Sequence, residues 1–208
     1  MNHRDPRSGV VGILLAGGES SRLGTPKQLL PVAGAPMILG AVSAALDLCA
    51  AGLVVVTGAA HDAVAAALAG MPVTIAYNPA WQEGIGASIR CGVDATDPGA
   101  VAFLILLCDQ PHVGGRELAA LIEAWAAAPE SVAAAGYGGS RGVPAVFPAR
   151  FRERLGALRG DRGARSLIDA QDNVTVVDMP GAAFDVDTPG DARRLRGESG
   201  SGAGGSSG

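Results

Sequence analysis

The chain has 208 residues, of which 48% are apolar and only 4% aromatic, and its formal net charge is −4 at pH 7. This length and composition are typical of one domain whose core is built from alanine, valine, leucine and isoleucine. The acidic balance gives no electrostatic reason to expect a nucleic acid or an anionic membrane as a partner. The three cysteines are odd in number and widely spaced, which excludes a disulfide framework and a cysteine-based metal site.

The two ends of the chain and its apolar runs bear on localisation and on the limits of the domain. The first eight residues are polar and lack the apolar stretch of a secretory signal. No apolar run reaches the roughly 18 residues that a membrane-spanning helix needs, so a cytoplasmic protein is predicted. Residues 1–8 are predicted to be a flexible N-terminus, residues 9–196 one domain, and residues 197–208, almost only glycine and serine, a disordered tail.

Short apolar runs rich in β-branched residues alternate with stretches of helical spacing along the chain. Strands are predicted at Val10–Ala16, Leu53–Thr57, Val73–Tyr77, Val101–Leu107, Val132–Ala135, Ala145–Phe147 and Val174–Val177. Helices are predicted at Met37–Ala50, His61–Ala69, Gly86–Ala95, Arg116–Ala127 and Gly190–Leu195, with helical patches near Phe151 and Ala164. The alternation predicts a single Rossmann-like α/β domain of three layers, in which helices cover both faces of a mostly parallel sheet.

Three segments of unusual composition directly follow predicted strands. They are residues 17–27, 78–88 and 108–111. Open α/β sheets bind ligands beyond the carboxyl ends of their strands. The three segments are therefore predicted to converge on an active site at one edge of the sheet.

The first of these segments combines glycines with cations. Gly17 and Gly18 lack Cβ atoms where the chain leaves a strand, so backbone N–H groups can approach phosphate oxygens. Arg22 and Lys27 add positive charge within the same loop. The residues after Gly24 exclude a Walker A loop, and the glycine spacing excludes a dinucleotide-binding fingerprint. A tight turn with exposed charges is the alternative, but the spacing of glycines and cations favours a triphosphate-binding loop.

This loop and several later blocks resemble a known family. The matching residues are Leu15-Ala16-Gly17-Gly18, Ser21-Arg22-Leu23-Gly24, Lys27, Asn78-Pro79-Ala80-Trp81, Gly84, Ser88, Cys108-Asp109-Gln110-Pro111, Gly160-Asp161-Arg162-Gly163-Ala164-Arg165 and Asp185-Val186-Asp187-Thr188-Pro189. They are similar to the motifs of the molybdenum cofactor nucleotidyltransferases, the MobA-like NTP transferases, and the later blocks resemble the cytidylyltransferase branch. The resemblance implies a nucleotide-diphospho-sugar transferase type of fold and a nucleotidyltransferase activity that releases pyrophosphate.

Two carboxylates are candidate ligands of magnesium. Asp109 ends a buried strand, where its charge must be exposed, hydrogen-bonded or bound to a cation. Mg²⁺ usually takes one or two carboxylates together with phosphate oxygens. From the residues alone, Asp109 is equally a turn cap before Pro111, whereas the pattern around Asp187 favours a cap of the helix that follows it. The resemblance implies that Asp109 and Asp187 bind Mg²⁺.

The resemblance also implies roles for the other motif residues. Nucleotide binding falls to Leu15, Ala16, Gly17, Gly18, Arg22, Lys27, Asn78, Gly84, Ser88 and Asp109, of which Asn78, Gly84 and Ser88 face the base and ribose. The catalytic residues are Arg22, Lys27 and Asp109. Arg162 and Arg165 bind the acceptor, since guanidinium groups suit bidentate contact with phosphate, although a solvated basic face is the alternative. Trp81 is predicted to pack within the fold.

The resemblance implies transfer of CMP from CTP to the phosphate of molybdopterin. The enzyme is predicted to be monomeric and Mg²⁺-dependent, with a molybdoenzyme as a candidate recipient of the product. GTP is the alternative donor, because the pair Gly17 and Gly18 is more typical of the guanylyltransferase branch. A sugar or alditol phosphate is the alternative acceptor. A non-catalytic carrier of the molybdenum cofactor is an alternative of another class, but a carrier has little need for Arg22, Lys27 and Asp109 together.

Overall fold

The computed structural model describes residues 6–20 and 23–201. The strands are β1 (Val10–Ala16), β2 (Pro31–Val32), β3 (Ala35–Pro36), β4 (Leu53–Thr57), β5 (Thr74–Tyr77), β6 (Ala102–Leu107), β7 (Val132–Tyr137), β8 (Ser140–Pro148) and β9 (Val174–Asp178). The helices are α1 (Met37–Leu46), α2 (His61–Ala67), α3 (Ile85–Asp94), α4 (Gly115–Ala127), α5 (Arg152–Gly156), α6 (Ala164–Asp169) and α7 (Pro189–Ser201). Short 3₁₀ turns join several of these elements.

Seven strands form one sheet in the order β5-β4-β1-β6-β8-β7-β9, while β2 and β3 form a separate antiparallel hairpin. Only β8 runs against the others, since it pairs antiparallel with both β6 and β7. Strand β1 lies inside the sheet between β4 and β6, where Leu15 is paired with Val56 of β4 and with Leu107 of β6. The predicted α/β domain with a mostly parallel sheet is confirmed, and the carboxyl ends of β1 and β6 meet at the same edge.

The sheet is covered on both faces because successive side chains of its central strands point to opposite sides. Ile13 and Leu15 of β1 pack into the apolar cluster formed with α3, α5 and α6. Leu14 and Ala16 pack into the cluster formed with α1, α2, α4 and α7. Continuous apolar runs are typical of parallel strands buried on both faces, which explains why β1 and β6 were recognisable in the sequence.

The hairpin between β7 and β8 is longer than predicted. Both strands continue to a two-residue turn, Gly138 and Gly139, with φ of 55° and 73°. Tyr137 is paired directly with Ser140 across this turn. Two adjacent residues with positive φ match the right-handed twist of a tight hairpin and favour glycine. The glycine pair was therefore the available sequence signal for joining the two strands.

The ends of the domain also differ from the predicted limits. A 3₁₀ turn spans Pro6–Gly9, and helix α7 continues through Ser201, past Gly197, where the tail was predicted to begin. A helix that has formed its first turn gains one hydrogen bond for each residue it adds. The predictions of flexibility for residues 1–5 and of disorder for residues 202–208 lie outside the described residues. Within the described part of the chain, no helix is long and apolar enough to cross a membrane.

The three cysteines are free thiols. Cys49 and Cys108 are buried, and burial raises the pKa of Cys49 to about 12 and also raises the pKa of Cys108. Cys91 is partly exposed. The two buried thiols are therefore protonated and act as small apolar groups of the core.

Replacing Gly92 of α3 by alanine should destabilise the protein. A Cβ atom there would lie 2.4 Å from Ile13 Cγ2 and 2.9 Å from Val56 Cγ2, which belong to rigid, buried side chains. We expect Gly92→Ala to lower the free energy of unfolding by about 1–3 kcal/mol. In the control Gly40→Ala, on α1, the new Cβ meets nothing within 4 Å and should raise it by about 0.5–1 kcal/mol. Urea unfolding of both variants measures the difference, and equal effects would contradict the proposed packing.

Candidate active site

A cavity of about 360 Å³ opens at the carboxyl ends of β1 and β6. It is lined by residues 15–19, 27, 28, 81, 82, 84, 85, 88 and 107–109. Most of these belong to the three segments that were expected to converge, and residues 15, 16, 28 and 107 directly adjoin those segments. The structure therefore brings the glycine-rich segment, the start of α3 and the end of β6 together in one concave site.

Most of the predicted nucleotide-binding residues line this cavity: Leu15, Ala16, Gly17, Gly18, Lys27, Gly84, Ser88 and Asp109. Arg22, predicted to bind and to act in catalysis, lies outside the described residues. Asn78 is described but does not line the cavity. The segment that follows β1 therefore supplies much of the lining of the cavity. The contribution of Arg22 stays a prediction.

The two glycines of the loop have different surroundings. Gly17 is buried, and a Cβ on it would lie 3.3 Å from Ser88 Oγ, whereas a Cβ on Gly18 meets nothing within 4 Å. The loop rests directly on Gly58, where a Cβ would lie only 2.3 Å from Gly17 O. The loop is therefore packed on the end of β4 on one side and leaves the Gly18 backbone open on the other.

Lys27 joins two carboxylates that are far apart in the sequence. Its Nζ donates to Asp109 Oδ2 at 2.5 Å and to Asp187 Oδ1 at 2.7 Å. Burial lowers the pKa of Lys27, but the charges and hydrogen bonds of Asp109 and Asp187 outweigh it and raise that pKa above its usual value. The lysine therefore stays protonated near neutral pH. It is also the only lysine in the chain.

The position of Asp187 depends on a backbone contact and a helix cap. Val186 N donates to Asp109 O at 3.0 Å, which holds this segment against the end of β6. Thr188 Oγ1 accepts from Asp191 N at 3.2 Å, and Asp191 Oδ2 accepts from Thr188 N at 2.8 Å. This reciprocal pair is a capping box. Because Thr188 and Asp191 cap α7, the carboxylate of Asp187 is left to contact Lys27.

The carboxylates fit the requirements of a divalent cation. Asp109 and Asp187 approach one cationic group, Lys27 Nζ, from two sides. Asp109 Oδ1 is buried and has no hydrogen-bond partner among the described residues. An unpartnered buried carboxylate oxygen is costly unless a cation or a donor satisfies it. No group of three or more His, Cys, Asp or Glu side chains within residues 6–20 and 23–201 could hold a metal, so the remaining ligands would come from phosphate and water, as Mg²⁺ prefers.

A third carboxylate adds negative charge at this edge. Burial raises the pKa of Asp185, and the charge of Asp109 raises it further, against a hydrogen bond from Gln110. Tyr137 OH donates to Val143 O at 3.3 Å. Burial raises the pKa of Tyr137, and the nearby charge of Asp185 adds to this effect. The field around these groups favours a bound cation.

Ser88, near the start of α3, lines the cavity, whereas Asn78 does not line it and instead contacts Ser88. Asn78 is 3% exposed, and its Nδ2 donates to Ser88 Oγ at 3.1 Å while its Oδ1 accepts from Ala80 N at 3.0 Å. The side chain is occupied by these contacts, so its geometry fits positioning of Ser88 better than the predicted contact with the base. Trp81, predicted only to pack, lines the cavity.

The segment 159–162 packs on the start of α3. Gly84 has a φ of 106°, and a Cβ on it would lie 2.6 Å from Gly160 O. Gly86 N donates to Gly160 O at 2.9 Å. Arg162 follows in this segment with an exposed side chain. The requirement for glycine at position 84 is therefore both conformational and steric.

Arg165 does not line the cavity that contains Lys27 and Asp109. Its Nη2 donates to Ser140 Oγ at 3.3 Å, and its Nε lies 3.6 Å from Asp169 Oδ2. It lines a second concavity of about 550 Å³ with Tyr137 and Arg141, beside the β7–β8 hairpin. The structure thus separates Arg165 from Lys27 and Asp109, which were predicted to serve the same reaction.

Gln28 was missed by the sequence analysis. It follows Lys27, is 1% exposed and borders the cavity. Its Nε2 donates to Ala16 O at 2.8 Å and to Gly18 O at 3.0 Å. Nothing in the local sequence indicates that a glutamine in a polar loop is buried. The sequence feature that could have placed Gln28 near the site is its position next to Lys27.

The comparisons with known proteins show that the chain is a nucleotidyltransferase. A family model described as the MobA-like NTP transferase domain matches residues 12–175. The chain therefore belongs to the family of MobA-like NTP transferases, as the motif resemblance implied.

Two curated relatives match more than four fifths of the chain, and a third matches a little over half of it. Nicotine blue oxidoreductase from Paenarthrobacter nicotinovorans is 32% identical over 189 residues, 82% of this chain and 91% of its own length. Purine catabolism protein PucB from Bacillus subtilis is 30% identical over 196 residues, 86% of this chain and 92% of its own. A probable molybdenum cofactor guanylyltransferase from Rhodopirellula baltica is 30% identical over 125 residues, 59% of each chain.

Among solved structures, the complex of Rv0371c from Mycobacterium tuberculosis with manganese has a TM-score of 0.75 and 28% sequence identity. The match covers 89% of this chain and 97% of that one. The similarity extends over the whole three-layer domain.

Placing a side chain at Gly18 should block nucleotide binding without harming the fold. The space around a Cβ at this position is open, so valine meets no neighbour but covers the backbone that faces the cavity. We expect Gly18→Val to weaken binding of a Mg²⁺–NTP complex by about tenfold or more in calorimetric titration, with an unchanged melting temperature. The control Gly156→Val, at another open glycine at the end of α5, should bind like wild type. Undiminished binding in Gly18→Val would mean that this loop does not hold phosphate.

Proposed function

We propose that this nucleotidyltransferase transfers CMP from CTP to the phosphate of molybdopterin, with Mg²⁺ as cofactor and pyrophosphate as the second product. The observation that carries the proposal is the arrangement of Lys27 between Asp109 and Asp187, on the cavity bordered by the glycine-rich loop. The relationship to a probable molybdenum cofactor guanylyltransferase supports a pterin acceptor. The resemblance of the later sequence blocks to the cytidylyltransferase branch supports CTP.

In this mechanism the loop and Lys27 bind the triphosphate. Backbone N–H groups near Gly17 and Gly18 donate to phosphate oxygens, and the Lys27 ammonium turns toward the triphosphate. Arg22, in the same loop, is proposed to offset the charge that develops on the leaving pyrophosphate. These groups contribute mainly by positioning and by neutralising charge.

The chemical step is an in-line displacement at the α-phosphorus. An oxygen of the acceptor phosphate forms the new P–O bond as the bond to the pyrophosphate oxygen breaks. The acceptor phosphate is already ionised near neutral pH, so its attack requires no general base. Bound by Asp109 and Asp187, Mg²⁺ would supply positive charge next to the α-phosphate.

Arg162 and Arg165 are proposed to bind the acceptor. Arg162 is exposed next to the start of α3, which borders the nucleotide cavity. Arg165 lies in the second concavity, so it would contact a part of the acceptor remote from the attacking phosphate.

GTP is the second candidate donor. One curated relative is a probable molybdenum cofactor guanylyltransferase, and the pair Gly17 and Gly18 fits that branch. A screen for pyrophosphate release, combining four NTPs with molybdopterin and several sugar phosphates, tests the proposal. We expect pyrophosphate release only from the combination of CTP with molybdopterin. Release only with GTP would show that GTP is the donor, and release only with a sugar phosphate would contradict the proposed acceptor.

Asp109→Asn should abolish most turnover. The change keeps the size of the side chain and removes a charged ligand of the metal, while Asp109 O can still accept from Val186 N. We expect kcat to fall by about a hundredfold or more with an unchanged circular dichroism spectrum. Asp172→Asn, an exposed residue before β9, is the matched control and should retain activity. A loss smaller than about threefold in Asp109→Asn would contradict the metal role.

Lys27→Ala should raise KM for the NTP and lower kcat together. A lysine that only holds the bound triphosphate would change KM alone, whereas one that also stabilises the leaving pyrophosphate changes both. Steady-state kinetics separate the two cases, and an effect on KM alone would remove Lys27 from the transition state. Because Lys27 is the only lysine, acylation of its amine can be followed by mass spectrometry, and Mg²⁺–NTP should protect it.

A further inference from the structure

The side-chain amide of Gln28 holds the corner where β1 becomes the glycine-rich loop. Its Nε2 donates to Ala16 O at 2.8 Å and to Gly18 O at 3.0 Å, so both hydrogens of one NH₂ group are used on two carbonyls of the loop. The side chain is 1% exposed. Gln28 thus acts from inside the protein, on the side of the loop away from solvent.

The carbonyl between these two is fixed from another direction. Gly17 O accepts from Ala59 N at 3.3 Å, at the end of β4. The oxygens of Ala16, Gly17 and Gly18 are therefore all held by donors of the surrounding structure. In a trans peptide the C=O of one residue and the N–H of the next point in opposite directions. Fixing the oxygens of Gly17 and Gly18 consequently fixes the N–H groups of Gly18 and Glu19.

The exposure of these residues indicates which side their N–H groups serve. Gly17 is buried, but Gly18 and Glu19 are exposed and line the cavity. If the carbonyl oxygens of Ala16 and Gly18 turned toward the cavity, they would repel phosphate oxygens. The buried amide of Gln28 prevents this reversal, because its one nitrogen supplies a hydrogen to each of the two carbonyls.

The arrangement carries a cost that a purely structural glutamine would avoid. Gln28 Oε1 is buried and has no hydrogen-bond partner among the described residues. A buried acceptor without a partner is unfavourable and calls for an explanation. Its neighbour in the chain is Lys27, which contacts Asp109 and Asp187. The residue that holds the loop carbonyls, Gln28, and the residue that contacts both carboxylates, Lys27, are therefore adjacent in the chain.

We propose that Gln28 is a positioning residue of the triphosphate site. Through Gly18 O it directs the N–H group of Glu19 toward the phosphates before the nucleotide binds, beside the N–H group of Gly18, which the contact of Gly17 O with Ala59 N fixes. This inference rests on the proposed function of the cavity. Pre-organised donors lower the cost of ordering the loop on binding. Gln28 therefore contributes to binding of any polyphosphate, including inorganic pyrophosphate, irrespective of the base.

The test compares Gln28→Met and Gln28→Glu with wild type. Methionine keeps the length of the side chain and removes both donors, and glutamate places a carboxylate against two carbonyl oxygens. Calorimetric titration with Mg²⁺–CTP, Mg²⁺–GTP and Mg²⁺–pyrophosphate should show affinities about tenfold lower or more in Gln28→Met, and lower still in Gln28→Glu. In turnover, KM for the NTP should rise while KM for the acceptor stays unchanged, which a general loss of structure would not produce.

Gln171→Glu is the matched control, because Gln171 Nε2 also donates to a backbone carbonyl, Leu167 O, at 3.2 Å but lies outside the cavity. It should bind all three ligands like wild type. A second measurement needs no variant: amide exchange at Gly18 and Glu19 in the wild-type protein should slow when Mg²⁺–pyrophosphate is added.

The outcomes separate this inference from the proposed function. If wild type binds neither NTP nor pyrophosphate, the proposed function fails. If wild type binds them and the Gln28 variants bind equally well, or if the two amides gain no protection, only the positioning role of Gln28 is overturned. A variant that does not fold leaves the exchange measurement on wild type to decide.

Discussion

The contact of one ammonium group with two carboxylates organises this site. Lys27 belongs to the loop after β1, Asp109 to the end of β6 and Asp187 to the segment before α7. Like charges at 109 and 187 would repel each other without a cation between them. Lys27 supplies one positive charge there. Asp109 Oδ1 has no hydrogen-bond partner among the described residues, so a second cation could contact it. The rest of the fold determines where these three groups meet.

The same architecture serves relatives with different names. A nicotine blue oxidoreductase, a purine catabolism protein and a probable molybdenum cofactor guanylyltransferase all match this chain at 30% identity or more. Folds host many functions, so the fold alone does not specify a reaction. The distinctive features of this chain are the loop, which Gln28 holds and which rests on Gly58, and the carboxylates beside it. In the proposed function, these features bind polyphosphate and metal, whereas the base and the acceptor contact the surfaces near Ser88 and Arg165.

The sequence alone determined the order of the elements and most of the residues that line the cavity. Parallel strands buried on both faces leave continuous apolar runs, so β1, β4 and β6 were predicted within one residue of their limits. Glycines followed by Lys27 signalled the loop because phosphate binding needs exposed backbone and positive charge close together in the chain. The glycine pair at 138 and 139 held a similar local signal for the β7–β8 hairpin.

Only the tertiary structure decided which distant residues share the site. Whether Asp187 caps α7 or faces Asp109 was open in the sequence, and it was settled by the bond from Val186 N to Asp109 O and by the cap that Thr188 and Asp191 form. The separation of Arg165 from the nucleotide cavity, and the burial of Gln28 beneath the loop, were equally invisible. Local patterns report what a residue's neighbours in the chain require, whereas these positions depend on contacts between segments that are remote in sequence.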